Sequence, residues 1–201
     1  MTKLALITIN HHHGEMIKKM VESLLGLGTE QPFNLFVINN LKDEGTTQWL
    51  AQAVPNVEVV ENAQPQGFSS NINRLIRDHP DFDFYLLLNP DVICLPGMID
   101  SLLHLMEADP QVGVAGPQLM DMDGTVQPSR RRFATFPVLM MRALHLDSLF
   151  KHLRAVDWYL MAGEDFDAEA EVDWVTGAVM LLRKTALDEV SGYRITVMTH
   201  C

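Results

Sequence analysis

The residues that could do chemistry lie where apolar runs of the sequence end. Asn89-Pro90-Asp91 follows the apolar run 84–88, and Asn10 and Asn39 close two earlier runs. Magnesium and manganese prefer oxygen ligands such as the Asp91 carboxylate, and magnesium keeps open positions for substrate phosphates. The alternative is that Asn89-Pro90-Asp91 only shapes a turn, because all three residue types favour turns. Taken alone, the motif is as consistent with a turn as with a metal site.

A fold that gathers strand ends must position these residues. Four β-rich runs alternate with amphipathic segments, which is typical of parallel strands joined by helices. The predicted strands are 4–9, 34–39, 57–61 and 84–88, and the predicted helices are 14–25, 45–53, 69–78 and 96–107. The sequence therefore predicts an α/β fold with a mainly parallel, doubly wound sheet flanked by helices. Such sheets bind ligands at the carboxyl ends of their strands.

The alternation fades beyond Asp109. A hairpin turn is predicted at 121–124, a helix at 137–150, an exposed acidic loop at 164–171, a strand-like segment at 172–182 and a last helix at 184–190. We expect residues 1–201 to form a single domain. Its halves are 1–110, which binds nucleotide, and 111–201, which faces the acceptor and is incomplete at its carboxyl-terminal end.

Composition excludes several classes of protein. A formal net charge of −11 repels nucleic-acid phosphates, so no nucleic-acid partner is expected. Two cysteines, Cys94 and Cys201, offer neither a disulfide framework nor a zinc site. The apolar run 4–9 is too short for a signal peptide, and the run 85–99 is interrupted by Asn89, Pro90, Asp91 and Pro96. We predict a soluble, cytoplasmic protein.

Arg130-Arg131-Arg132 is the one basic cluster in this acidic sequence. Guanidinium groups match phosphate oxygens bidentately, so Arg130 and Arg132 are candidates to hold a diphosphate. The alternative is a solvated loop that pairs with the acidic residues of 164–171. We favour a functional role for at least one of these arginines.

Two further segments have both a structural and a functional interpretation. His11, His12 and His13 could bind a transition metal, but consecutive residues of an extended segment point to opposite sides, so loop polarity is favoured. Trp174 with Gly177 and Ala178 could line a sugar site, because an aromatic ring stacks on sugars and glycine permits close approach. The alternative is a buried strand, and both roles are compatible.

The ordered set of motifs resembles the family 2 inverting glycosyltransferases of the GT-A fold, in particular their rhamnosyltransferase-like branch. The segments that carry this resemblance are Leu6-Ile7-Thr8-Ile9-Asn10, Val37-Ile38-Asn39-Asn40 with Glu44-Gly45-Thr46, Gly67-Phe68-Ser69-Ser70-Asn71-Ile72-Asn73, Leu88-Asn89-Pro90-Asp91, Gly116-Pro117-Gln118-Leu119, Asp123-Gly124, Ser129-Arg130-Arg131-Arg132-Phe133 and Val172-Asp173-Trp174-Val175-Thr176-Gly177-Ala178. They cover nearly the whole chain.

The resemblance implies transfer of a sugar, with inversion, from a nucleoside-diphosphate sugar to a glycan or lipid-linked acceptor. Asp91 would bind Mg²⁺ or Mn²⁺ on the diphosphate. The implied nucleotide-sugar site comprises Thr8, Asn10, Asn39, Asn40, Gly67, Asn71, Asn89, Arg130, Arg132, Trp174, Gly177 and Ala178. The implied location is the inner face of the plasma membrane, with peripheral membrane association.

The sequence departs from the resembled pattern in two places. Asn39 stands where the family usually has an aspartate to the base. After Gly192-Tyr193 the family continues into Phe-Asp-Glu and a Glu-Asp motif that supplies the catalytic base, whereas this sequence ends at Cys201. We therefore expect a chain without its usual catalytic base. The alternatives are a non-catalytic nucleotide-sugar-binding module and, last, a flavodoxin-like metal or redox protein.

Overall fold

The computed structural model describes residues 2–127, 129–143, 158, 159, 161 and 168–190. It forms two compact units, one from residues 1–116 with 177–201 and the other from residues 117–176. The division into nucleotide and acceptor halves at residue 110 stays a prediction.

The bounds of the elements follow in chain order. The strands are β1 (Leu4–Asn10), β2 (Phe33–Asn39), β3 (Val57–Glu61), β4 (Phe84–Leu88), β5 (Val114–Ala115), β6 (Leu119–Met120), β7 (Val126–Gln127), β8 (Arg130–Arg131), β9 (Trp174–Val175) and β10 (Val179–Arg183). The helices are α1 (Gly14–Leu25), α2 (Glu44–Ala53), α3 (Phe68–Asp78), α4 (Met98–Ala108), α5 (Phe136–Ala143) and α6 (Lys184–Glu189).

A six-stranded sheet in the order β3-β2-β1-β4-β10-β5 forms the centre of the first unit. Strands β1 to β4 pair in parallel, whereas β10 runs antiparallel to both β4 and β5. Every residue of β4 is buried, as expected for a strand covered on both faces. The predicted doubly wound, mainly parallel sheet is confirmed, with an antiparallel strand added at one side.

Helices cover the sheet on both faces. Helix α1 buries Ile17, Met20, Val21 and Leu24, which recur at helical spacing. Strand order runs outward from β1 through β2 to β3 and then reverses, because β4 lies on the other side of β1. Parallel crossovers are right-handed, so the reversal puts α3 on the face opposite α1 and α2. The switch point between β1 and β4 is where such sheets bind ligands.

The second unit contains two short antiparallel pairs, β6 with β7 and β8 with β9. The predicted turn at 121–124 joins the first pair, with Gly124 at a φ of 85°. The strand-like segment 172–182 divides into β9 and β10, so it contributes to both units. Of the predicted helix 137–150, residues 137–143 form part of α5 and residues 144–150 lie outside the described residues.

In the described part of the chain, no helix is long and apolar enough to cross a membrane.

Candidate functional site

The first group of polar side chains at the sheet edge lies on the α2 side. Successive strand residues point to opposite faces, so Asn10 and Asn39 share a face with Glu61 at the end of β3. Asn10 Nδ2 donates to Asn39 Oδ1 at 2.9 Å and to Asp43 Oδ2 at 3.1 Å. Asn39 Nδ2 donates to Thr47 Oγ1 at 2.8 Å and to Glu61 Oε1 at 2.7 Å. These five residues, the α2-side cluster, link three strand ends to α2.

A second group, the α3-side cluster, points to the other face and comprises His11, Asn40, Asn62, Gln66, Asn71 and Arg74. Asn40 Oδ1 accepts from Asn62 Nδ2 at 2.8 Å, from Gln66 N–H at 2.7 Å and from Asn71 Nδ2 at 3.2 Å. Asn40 Nδ2 donates to Gln66 O at 2.9 Å and lies 3.1 Å from His11 Nδ1. Amides suit this position because each both donates and accepts.

Asp43 joins the α2-side cluster to the start of α2. It is the N-cap residue, and its carboxylate accepts from the backbone N–H and the hydroxyl of Thr46. Partial burial acts to raise the pKa of Asp43, but the hydrogen bonds from Thr46 and Asn10, with the charge of His12, outweigh it and lower the pKa below 3.8. Asp43 is therefore ionised at neutral pH.

The lowered pKa of Asp43 predicts a pH-dependent stability. Because the folded-state pKa lies below the ordinary value, ionised Asp43 stabilises the fold above about pH 4, and the contribution is lost as pH falls through the folded-state pKa. Asp43→Asn keeps an acceptor for the helix cap but not the charge. Urea unfolding at several pH values should show that the variant is less stable at pH 7 and that the difference shrinks below pH 4. A difference that is constant with pH would contradict this, and Thr46→Val, which removes one donor, should weaken the dependence.

Gly14, the first residue of α1, packs against the cap of α2. A Cβ there would lie 2.2 Å from Thr46 Oγ1 and 2.8 Å from Asp43 Oδ2. We expect Gly14→Ala to lower the free energy of unfolding by about 1–3 kcal/mol, because the cap must shift to admit the methyl group. Gly45→Ala is the matched control, since its Cβ would meet only Asp43 Oδ1 at 3.8 Å. The denaturant midpoints of the two variants measure this effect. Equal midpoints for Gly14→Ala and Gly45→Ala would contradict the close packing at Gly14.

Asp91 follows β4, at the far side of β1 from the amide clusters. The Asn89 N–H donates to Ala178 O at 2.8 Å, which ties the Asn89-Pro90-Asp91 turn to the start of β10. The structure therefore brings predicted site residues Asn89 and Ala178 together, with Gly177 beside them. Asp91 itself is exposed, and its carboxylate has no hydrogen bond or ion pair to any of the described residues.

Two of the predicted site residues at this edge of the sheet are Thr8, which has a polar group, and Gly67, which has open space beside it. The Thr8 hydroxyl near the end of β1 is buried and has no hydrogen-bond partner among the described residues. Gly67 precedes α3, and a Cβ built there meets no atom within 4 Å, so the packing of the chain does not itself demand glycine. Glycine at this open position would let a ligand approach the backbone closely, whereas the Thr8 hydroxyl is buried.

The remaining predicted residues lie in the second unit. Arg130 Nη1 donates to Ala168 O at 2.8 Å, within the loop that was the structural alternative for this cluster. The Arg132 guanidinium lies 5.9 Å from the centre of the Trp158 ring. Trp174 is in β9, opposite Arg131 of β8, and its side chain is 41% exposed, which excludes a fully buried role. Whether these residues contact a donor stays a prediction.

The histidine triplet is not arranged as a metal site. His12 has a φ of 64°, and the His13 N–H donates to Asn10 Oδ1 at 2.9 Å as the chain enters α1. Across the described ranges, no group of three or more His, Cys, Asp or Glu side chains could hold a metal ion by itself. The triplet shapes the connection from β1 to α1.

Sequence reasoning missed Asp43, Glu61 and Arg74 as site residues. Asp43 could have been found as an N-cap signal, because Asp before a helical segment is a start signature. Glu61 and Arg74 give no local signal. Pairing of β3 with β2 sets the place of Glu61. The position of α3 sets the place of Arg74, which donates to Asn62.

The mostly parallel sheet with its switch point between β1 and β4 belongs to a GT-A glycosyltransferase fold, as its likeness to solved structures shows. Solved structures agree on the fold. The mannosyltransferase PcManGT from Pyrobaculum calidifontis, in complex with GDP-Man and Mn²⁺, is 12% identical with a TM-score of 0.61, over 94% of this chain and 46% of that one. S. aureus TarS 1-349 is 10% identical with a TM-score of 0.54, over 96% of this chain and 50% of that one.

The chain belongs to Glycosyl transferase family 2, whose sequence profile matches residues 5–189. It is 28% identical over 202 aligned positions to the N-acetylglucosaminyl-diphospho-decaprenol L-rhamnosyltransferase of Mycobacterium tuberculosis, in strains CDC 1551 / Oshkosh and ATCC 25618 / H37Rv. The alignment covers 94% of this chain and 64% of the relative. The chain thus spans somewhat less than two thirds of the curated relatives it matches.

Proposed function

We propose that this chain binds a nucleoside-diphosphate sugar across the carboxyl ends of β1 to β4, as part of an inverting glycosyltransferase with a glycan or lipid-linked acceptor. The observation that carries the proposal is the arrangement of polar side chains along one edge of the sheet in a family 2 chain. Amide clusters lie at the ends of β2 and β3, and beyond β4 lies the Asp91 carboxylate, which no described residue engages. The related mycobacterial enzyme is named for a diphospho-decaprenol acceptor, which supports a lipid-linked acceptor here too.

The spacing of the strands suggests how the donor lies. Neighbouring strands are about 4.8 Å apart, so the ends of β3 and β4, three spacings from each other, are separated by about 14 Å. An extended nucleoside diphosphate has comparable length. The diphosphate would lie near Asp91, the ribose over β1 near Thr8, and the base over the ends of β2 and β3. The buried side chains of Asn10, Asn39, Asn40 and Asn71 would then support the strand ends beneath the base.

The residues around Asp91 fit a divalent cation. Magnesium is usually bound by one or two carboxylates together with substrate phosphates and water, rather than by a complete cage of protein ligands. The single exposed Asp91 carboxylate matches that pattern. When bound, Mg²⁺ or Mn²⁺ would stabilise the negative charge of the leaving nucleoside diphosphate. PcManGT was solved with Mn²⁺, which supports the choice of ion.

The protein groups would hold and orient the donor. The Asn89 N–H bond to Ala178 fixes the turn that carries Asp91, and Gly177 beside it lets a ligand approach the backbone closely. That Arg130 and Arg132 contact a diphosphate and that Trp174 faces a sugar stay predictions. None of the described residues is proposed as the catalytic base. A lipid-linked acceptor would place transfer at the cytoplasmic face of a membrane, where the protein would associate peripherally.

Calorimetry and a transfer assay test this function. Titration of the chain with GDP, UDP, dTDP, ADP and CDP, with and without Mn²⁺, should show binding that depends on the metal. No binding, or binding of equal strength without metal, would contradict the proposal. Transfer of a radiolabelled sugar to an N-acetylglucosaminyl-diphospholipid tests the reaction itself. Metal-dependent binding without transfer would instead support a nucleotide-sugar-binding module.

A further inference from the structure

Glu61 presents a carboxylate at the end of β3 that the protein fixes on one side only. Its Oε1 accepts from Asn39 Nδ2 at 2.7 Å and lies 3.2 Å from Thr47 Oγ1, whose single proton has a nearer acceptor in Asp43 O at 3.0 Å. The residue is exposed, and no described residue donates a hydrogen bond to Oε2. A carboxylate held by the Asn39 amide through one oxygen is oriented, and its second oxygen can accept a hydrogen bond from a ligand.

Asn39, in contrast, has no donor left for a ligand. Its side-chain amide has two N–H groups, which are both used, towards Thr47 and Glu61, while its oxygen accepts from Asn10. Asn39 is also fully buried, with a relative exposure of 0%. A group that is buried and satisfied in this way orients its neighbours and does not itself contact a base.

We propose that Glu61 accepts a hydrogen bond from the donor's nucleobase, and that Asn39 acts as a positioning residue for it; the proposal rests on the proposed function. Glu61 lies at the β3 end of the edge, where the proposed function places the base. Asn39 holds Oε1 from β2, so Oε2 is left for the ligand.

The chemistry of a carboxylate selects the class of base. An ionised carboxylate only accepts hydrogen bonds. Uracil, thymine and guanine carry a ring N–H at the centre of their pairing edge, whereas adenine and cytosine carry a ring nitrogen lone pair there. A carboxylate centred on that edge meets the ring nitrogen lone pair, and only the exocyclic amino group beside it can donate, away from the centre of the edge. Glu61 therefore selects uridine, thymidine or guanosine diphosphate sugars over adenosine and cytidine diphosphate sugars.

Glu61→Gln tests the selection, because the amide keeps an Oε1 acceptor for Asn39 but loses the charge. With saturating Mn²⁺, wild type should bind the best of UDP, dTDP and GDP at least about tenfold more tightly than ADP and CDP, as expected for a charge-assisted hydrogen bond. The variant should lose most of this preference, with ADP and CDP affinity unchanged or improved. Glu58→Gln, on the same strand but away from the carboxyl end, is the matched control and should retain the preference.

A second pair of variants separates recognition from folding. Asn39→Asp would set two carboxylates within hydrogen-bond reach and should lower the thermal midpoint. Asn39→Asp combined with Glu61→Gln restores a donor–acceptor pair in reverse and should recover the midpoint without recovering the preference among bases. Recovery of the preference, or an unaltered preference in folded Glu61→Gln, would overturn the assignment. If wild type bound no nucleoside diphosphate at all, the proposed function itself would fail, which is a distinct result.

Discussion

Replacing Asp91 with alanine is expected to abolish metal-dependent nucleotide binding, with a loss of affinity of at least about a hundredfold, or roughly 3 kcal/mol. Among the described residues, Asp91 is the one carboxylate in the turn that ends β4 and is tied to β10. Without it, a cation near the diphosphate would keep only the ligands that phosphate and water supply. The fold should be unaffected, because the carboxylate has no hydrogen bond or ion pair to the described residues.

Calorimetry with Mn²⁺ and the best-binding nucleoside diphosphate measures this loss. Asp81→Ala is the matched control, since Asp81 is also an exposed aspartate but precedes β4 and lies at its amino end. It should bind as wild type does. Unchanged binding by Asp91→Ala at an unchanged thermal midpoint would remove Asp91 from the site and leave the Asn89-Pro90-Asp91 turn with only its structural role.

Asn40→Ala is expected to lower the free energy of unfolding by about 2–4 kcal/mol. Its side chain is 7% exposed, and its oxygen accepts hydrogen bonds from Asn62, Gln66 and Asn71. Alanine leaves those three donors short of an acceptor, and an unsatisfied buried group such as the Asn71 amide costs about 1–3 kcal/mol. The Asn62 and Asn71 amides each keep a second hydrogen-bond partner. The loss of stability should therefore be smaller than the sum of three unsatisfied groups.

Urea unfolding followed by circular dichroism measures this effect. Asn34→Ala is the control, because Asn34 is exposed and lies near the amino end of β2, the strand that Asn40 follows; it should change stability by less than about 0.5 kcal/mol. Asn40→Asp keeps the acceptor but loses the donors to Gln66 and His11, so its loss should be intermediate. Equal stability of the two alanine variants would show that the α3-side cluster is not a structural support for the strand ends.

The parallel half of the fold could be predicted from sequence because its signals are local. Strands 57–61 and 84–88 and helix 14–25 have the predicted bounds, since apolar runs and helical spacing are properties of neighbouring residues. Strand β1 extends one residue further, to Asn10, whose side chain is buried by partners from β2 and the start of α2. A polar strand end of this kind looks like a loop when only the sequence is considered.

The partners of β10 could not be predicted, because its register with β4 and β5 joins residues about seventy to a hundred positions apart. Hydropathy gave only a strand-like segment at 172–182, which the structure divides at 176–178. The site shows the same limit. Asn10 and Asn39 were predicted as nucleotide ligands from their types and places, yet the hydrogen bonds that occupy Asn39 depend on Thr47 and Glu61 from other elements. Only tertiary contacts distinguish a ligand-binding amide from a supporting one.

A crystal structure of this chain with Mn²⁺ and a nucleoside diphosphate would test the central claim most directly, using the anomalous signal of manganese to place the ion. We predict the ion about 2.1 Å from an Asp91 carboxylate oxygen, the diphosphate beside it, and the base over the ends of β2 and β3 within hydrogen-bond distance of Glu61. Manganese bound to His11, His12 or His13 would contradict the account. So would a nucleotide bound in the hollow of about 440 Å³ that is lined by His13, Lys18 and Thr46.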